Sequence, residues 1–555
     1  MIPHTLLSKR IECQPPSLEP PVSQDLDLNR RNFLRIGAAI GLTLTAGGAL
    51  AACDSGSTPG SQAAPGYQKP KQGGQFVRGI VGDGPEFGWN PFNAGGLGDY
   101  VRNVAVYDTL VFAGVKESQP ALLTSWDVSE DSMTWTLHLR ENVTWHDGSP
   151  FIADDVVFSL NAMATSFFGA SVVTNVDVKK IRAVDSLTVE VPMKVADAGW
   201  IALTTSANAA IVKNGTTDFS KPNGTGAFVF ASGTPGQRAT FKRNDTYWVP
   251  GAPYPDTLII VAIADDNAAL SAVRAGQIDA VSIPLNLARS AKDLQVTKSN
   301  PPAIANSGLV MKVDAAPFDD VRVRQAMALA VDRELINRQM FLGEGIIMND
   351  LIGKGKEFNL PFYDDSLAQR TYDPKAARAL LKQAGHDRLS VELVVTPLFG
   401  ADQLGALVKE SAKAAGFDVT LKSVSPDAYF NPQQGYLSRP FTVAIWPADS
   451  LRAFYDQALG SAATSNESSF KDSTYDTLFA SARAERDEAA ATEKWAAVQK
   501  YVHEQVPYIW PANGPAANVY AKKVHNVFAD YTPDKKFPTA QIGSAPSGWQ
   551  YLWVE

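Results

Sequence analysis

Cysteine is nearly absent from this 555-residue chain, which has only Cys13 and Cys53. That is too few thiols for a disulfide framework or a cysteine-based zinc site. Basic clusters are missing too: 50 lysines and arginines face 58 aspartates and glutamates, for a net charge of −8. A nucleic-acid partner is excluded on that ground, because neutralising phosphates takes concentrated positive charge. No stretch of the body reaches the ~20 apolar residues of a membrane span. The uncharged run from Ala198 to Val212 is too short and is interrupted by Thr204-Thr205-Ser206 and Asn208. No segment recurs at a fixed period, which argues against solenoids and propellers. G-x-x-x-x-G-K, H-E-x-x-H and G-x-S-x-G are all absent. The six histidines are scattered, and His503-Glu504 lacks a second histidine. The chain therefore reads as a non-enzyme with no cofactor and no metal site. What remains is ordinary globular composition, 45% hydrophobic and 19% charged, with 35 prolines and 41 glycines for a body of many turns.

The N-terminus reads as an address. Asn29-Arg30-Arg31-Asn32-Phe33-Leu34-Arg35 precedes a weakly apolar run from Ile36 to Ala49, too short to span a bilayer. The Arg30-Arg31 pattern resembles the twin-arginine export signal. Leu50-Ala51-Ala52-Cys53 resembles the lipobox of bacterial lipoproteins, in which the Cys53 thiol would receive a diacylglyceryl group. Residues 1–52 are thus expected to be a signal peptide. Residues 53–72, rich in Ser, Gly and Pro, are expected to be a flexible tether. Cys13 would leave with the signal. Asp54 resembles an inner-membrane retention signal, so the expected location is the outer face of the cytoplasmic membrane.

Along the body, strand and helix signals alternate. In Thr134–Leu139 the residues Trp135, Leu137 and Leu139 share one face, and Thr134, Thr136 and His138 the other. Asp319 and Asp320 predict a cap for one helix carrying Val323, Met327, Val331 and Leu335. Asp373-Pro374 predicts another, with Ala377, Leu380, Leu381 and Ala384 inward and Gly385 as its stop. Further strands are predicted at Gly73–Val81, Thr257–Val261 and Val391–Val395. The class is mixed α/β in several lobes.

From Gly73 onward an ordered series of motifs appears. It runs Tyr107-Asp108-Thr109-Leu110-Val111, Pro120-Ala121-Leu122, Ser125-Trp126-Asp127-Val128-Ser129, Leu139–Val143, His146–Phe151 and Asp154–Ser159. Gly224-Thr225-Gly226, Arg243–Trp248, Ala275–Asp279, Asp319–Ala326 and Tyr372–Gly385 follow. On these the chain resembles the peptide-binding family of extracellular solute-binding proteins, the receptors of ABC importers for oligopeptides and dipeptides. The resemblance implies a bilobal, type II periplasmic-binding-protein-like α/β fold with a third, inserted domain. Lobe I would comprise 73–111, 225–304 and 501–555, the extra domain 112–224, and lobe II 305–500, joined by a multi-crossing hinge. His146 beside Asp147 reads as turn capping rather than catalysis. Ile152 stands where the family usually has a capping threonine.

The resemblance also implies a site. Phe441–Asp449 matches a strand followed by the family's Gly-Trp-x-Ala-Asp loop, whose aspartate salt-bridges a peptide's N-terminal ammonium. Carried over, Asp449 anchors the ammonium, Trp446 walls the cleft, and Pro447 and Ala448 lie along the peptide backbone. A helix-capping role for Asp449 stays open. Ile445 replaces the family's usual glycine. Arg452 is the candidate for a ligand carboxylate, and Phe87 and Trp89 are candidates to face the cleft, with core packing open for both. The implied partners are a peptide, the transmembrane subunits of an ABC permease with their cytoplasmic ATPases, and the membrane through the lipid anchor; the chain itself is expected to be a monomer. The same fold binding an oligosaccharide or a metal or haem complex, or acting as a peptide-signal receptor, stays open as an alternative.

Overall fold

The computed structural model describes residues 70–83, 88–94, 96–113, 118–166, 168–298, 305–352, 363–431, 435–447, 451–463, 465–515, 517–526 and 552–555. Arg30, Arg31, Cys53, Phe87, Ala448 and Asp449, with the signal peptide and most of the tether, lie outside these.

Two sheets organise two lobes. The first has seven strands in the order Gln295–Lys298, Ala517–Tyr520, Ala280–Ile283, Gln75–Val81, Thr257–Ile263, Arg238–Arg243 and Phe228–Thr234. Gln75–Val81 is central, parallel to both of its neighbours and buried over most of its length. Phe76, Val77 and Ile80 enter the core, and the buried Arg78 at the strand's centre donates to Ser282 Oγ at 2.5 Å. Beside this sheet stands a four-stranded antiparallel sheet, Leu123–Val128, Thr134–Leu139, Thr188–Pro192 and Arg182–Asp185. Its alternation is as expected, with Trp135, Leu137 and Leu139 buried and Thr134, Thr136 and His138 half-buried. Residues of both sheets share one continuous apolar core.

Several of the ordered motifs meet at one buried knot. The carboxylate of Asp108 accepts hydrogen bonds from Thr225 Oγ1 (2.9 Å), Trp248 Nε1 (2.9 Å) and Tyr247 Oη (3.2 Å). A side chain at Gly224 would put Cβ 1.9 Å from the carbonyl oxygen of Val106, so only glycine lets the two backbones pass. The His146 ring bonds the Gly226 carbonyl at 2.9 Å, and Asp147 accepts from the Ser149 amide at 3.0 Å, which makes this pair a turn device. At Ile152 no side chain caps the following helix, Ala153–Met163. Asp155 compensates by accepting from the Ile152 amide at 2.9 Å.

The second sheet runs Phe417–Ser423, Leu389–Val395, Phe441–Pro447, Ala305–Met311 and Tyr508–Ile509. Period-two alternation splits its side chains between two cores. Leu309, Met311, Leu393, Val395, Phe441 and Val443 pack under Ala401, Leu404 and Val408 of the helix Ala401–Lys413. On the other face Val310, Ala444, Trp446, Tyr508 and Trp510 pack against Phe454, Tyr455, Tyr475 and Trp495. Each such fully buried side chain stabilises the fold by ~1.5–3 kcal/mol.

Two expectations need adjusting. The stripe from Val323 to Leu335 is two helices, Val321–Ala330 and Arg333–Phe341, because Asp332 caps a new start through its 2.8 Å bond from the Leu335 amide. The helix Pro374–Gln383, by contrast, forms as expected, with Asp373 capping Lys375 and Ala376. Residues 508–509, assigned from sequence to lobe I, pair with Ala305–Met311 and belong to the second sheet. Their apolar side chains match its two cores.

Candidate functional site

The sheet directions locate the cleft. Ala305–Met311 enters lobe II from lobe I, and Ala305 pairs with Pro447, the last residue of its antiparallel neighbour. Tyr508–Ile509 is antiparallel to Ala305–Met311 and so returns toward lobe I at the same end. Leu389–Val395 is parallel to Phe441–Pro447, with Val394 opposite Thr442, and so points to the same end. In lobe I, Gln295–Lys298 departs at the carboxyl end of Gln75–Val81 and Ala280–Ile283, since it and Ala280–Ile283 are both antiparallel to Ala517–Tyr520. Both lobes thus present the carboxyl ends of parallel strands to the crossing between them. Ligands of open α/β sheets bind in that position, where the strand order reverses. Among the described residues, the segments that follow these strand ends are 82–83 and 88–90 in lobe I and 396–400 in lobe II.

Of the residues predicted for the site, Asp449 and Ala448 lie outside the described residues, but the strand leading to them is described and ends at this crevice. Pro447 is its final residue. Trp446 is only 6% exposed, inside the second core of lobe II, with its ring edge-on to Phe454. Alternation along the strand turns it to that face, where it packs in the core. Its Nε1 donates to Glu467 Oε1 at 3.1 Å, and Tyr508 Oη lies 3.4 Å from Oε2. Burial pushes the Glu467 carboxyl up to about 8, against the pull of those two hydrogen bonds. Trp89 packs edge-on against Phe230 and Phe241 beneath the Arg102 guanidinium, which is core packing at the margin of lobe I.

Arg452 is committed elsewhere. Its guanidinium pairs with Asp197, whose side chain is fully buried, so it bridges lobe II to the inserted domain instead of waiting for a ligand carboxylate. Around this pair, Asn175 Nδ2 donates to Asp197 Oδ2 (3.2 Å) and Asp456 Oδ2 (3.3 Å), and Arg483 Nη1 donates to Asn175 Oδ1 (3.3 Å). Burial pushes the Asp456 carboxyl up, with Arg452 opposing. Backbone contacts reinforce the bridge: the Ala198 amide donates to the Arg483 carbonyl at 3.0 Å, and Arg486 Nη1 to the Ser129 carbonyl at 3.2 Å. A Cβ at residue 199 would lie 2.0 Å from Arg452 Nη1, so Gly199 makes the approach possible. A second bridge joins Glu344 of lobe II to Arg289 and Lys298 of lobe I. Neither bridge is marked in the sequence, since their partners stand 46 to 357 residues apart with no motif around them.

Known proteins share this architecture. The family described as bacterial extracellular solute-binding proteins, family 5 (middle), matches residues 117–466. The dipeptide-binding protein of Escherichia coli K12 is 26% identical over 506 residues, covering 83% of this chain and 93% of that protein. Heme-binding protein A of Haemophilus influenzae is also 26% identical over 506 residues, covering 83% and 91%. The solved periplasmic binding protein DppA of Helicobacter pylori, in complex with the peptide STSA, superposes with a TM-score of 0.74 at 22% identity, covering 87% and 99%. The fold is that of the type II periplasmic binding proteins, two lobes with an inserted domain. With the family's match spanning the inserted sheet and most of lobe II, this chain belongs to the bacterial extracellular solute-binding proteins, family 5.

Proposed function

We propose that this protein is the substrate-binding subunit of an ABC importer, capturing an extended peptide between its lobes and delivering it to a membrane permease. The observation that carries the reading is the convergence of both hinge connections with the end of Phe441–Pro447. In the sequence that strand runs on into Ala448 and Asp449, and a relative of nearly the same span is a dipeptide-binding protein. A carboxylate enclosed by two closing lobes is costly unless paired, and a primary ammonium offers three donors to it. Backbone pairing of the peptide beside the strand would add affinity with little side-chain selectivity. Export through Arg30-Arg31 and lipidation at Cys53 complete the proposal, holding a monomeric receptor on the outer face of the cytoplasmic membrane. The tether keeps it near its permease at high effective concentration.

Calorimetry with a random tripeptide pool and its N-acetylated counterpart tests the anchor. Free peptides should bind, acetylated ones should bind far more weakly, and Asp449→Ala should cost about 3 kcal/mol. Equal affinity for the two pools would remove the ammonium anchor. Binding of haem or cello-oligosaccharides in place of either pool would move the ligand class while keeping the fold.

A further inference from the structure

We propose that Phe399 is a specificity-determining contact of the ligand cleft, an apolar platform that favours ligands bearing an apolar or aromatic side chain. The proposal rests on the peptide reading above and deepens it. Phe399 follows the strand Leu389–Val395 and precedes the helix Ala401–Lys413, so it sits at a carboxyl end that faces lobe I. Its side chain is 49% exposed. Its backbone has φ +49°, the left-handed region that a bulky residue rarely occupies. Among the described residues, no other exposed large hydrophobic combines these two properties. An exposed phenyl group and a strained backbone each disfavour the isolated fold, and such strain concentrates where a site must be held ready.

The position is fixed rather than loose. Ser307 Oγ donates to the Phe399 carbonyl at 3.0 Å, and the Leu398 carbonyl accepts from the Ala401 amide at 2.9 Å. Ser307 is itself the register partner of Ile445, two residues before the strand ends at Pro447. Phe399 is therefore tied to Ala305–Met311, the strand paired with Phe441–Pro447. Covering the exposed ring with an apolar side chain removes both surfaces from water, whereas a hydroxyl or a bare glycine gains little there.

The test is calorimetry on the full chain with two tripeptide pools. One is built from Leu, Phe and Met, the other from Gly, Ser and Thr. The wild type should prefer the apolar pool. Phe399→Asn should lose about tenfold on that pool and less than twofold on the polar one. Its Tm should hold or rise, because asparagine tolerates the left-handed conformation. Phe399→Ala should show the same affinity pattern with no gain in Tm. An equal loss on both pools, or no loss on either, overturns the platform while leaving the peptide reading intact. Failure of the wild type to bind either pool overturns the peptide reading and the platform with it.

Discussion

The two bridges between the lobes are built from the same chemistry in opposite surroundings. At the hinge side, Glu344 is 28% exposed and its partners Arg289 and Lys298 about half exposed, at 52% and 47%. Between the inserted domain and lobe II, Asp197 is 0% exposed and Arg452 13%. The first can exchange its partners for water at little cost, and salt screens it. The second leaves unpaired buried charge if one member is removed, so it acts as an all-or-none contact. A receptor that must both hold and release combines one contact that is costly to break with one that exchanges readily for water.

That contrast can be broken most directly at Asp197. Asp197→Ala should destabilise the closed arrangement by about 3 kcal/mol and weaken ligand binding correspondingly. In a double-mutant cycle, Asp197→Ala and Arg452→Ala should be strongly non-additive. Additive single effects would reduce the buried bridge to a bystander.

The next effect separates closure from folding. Glu467 lies within lobe II, between Trp446 and Tyr508, and takes no part in either bridge. Its carboxyl is raised from 4.5 to about 8, so the folded protein retains a proton that the unfolded chain releases. The sign follows: this contribution is full below pH 4.5 and is lost as pH rises through about 8. Wild-type Tm should fall between pH 6 and pH 9, and Glu467→Gln should flatten that fall, while ligand affinity at pH 6 stays near wild type. A pH-independent wild-type Tm over this range would mean the carboxyl is not held neutral.

The smallest effect belongs to the exposed bridge. Glu344→Gln should change ligand affinity by less than about 1 kcal/mol, and the difference should vanish in 0.5 M salt. A loss as large as that of Asp197→Ala would erase the distinction between the bridges.

What could be read in advance divides along the same line of locality. Thr134–Leu139 and Pro374–Gln383 carry their alternation, cap and stop within a dozen residues, and they form where expected. The break at Asp332 is local too, yet its aspartate cap was hidden inside a stripe that ran on across it. Trp446 shows the next limit: alternation tells that it opposes Ile445, but which face meets the cleft depends on helices packed from residues 451 to 505. Arg452 shows the last one. Its partner Asp197 is 255 residues away at the end of an unremarkable loop, and no pattern along the chain points to it. Residues that join lobes are chosen by the assembled fold, which is why the family resemblance conveyed the architecture and missed the bridges.

Ligand is expected to close this clamp, and the buried bridge to keep it closed. Energy transfer between one dye on the inserted domain and one on lobe II measures it directly. With saturating tripeptide the wild type should shift to a single short distance, Glu344→Gln should follow it, and Asp197→Ala should remain largely open. A distance that ligand does not change, or an Asp197→Ala protein that closes as fully as the wild type, would contradict it.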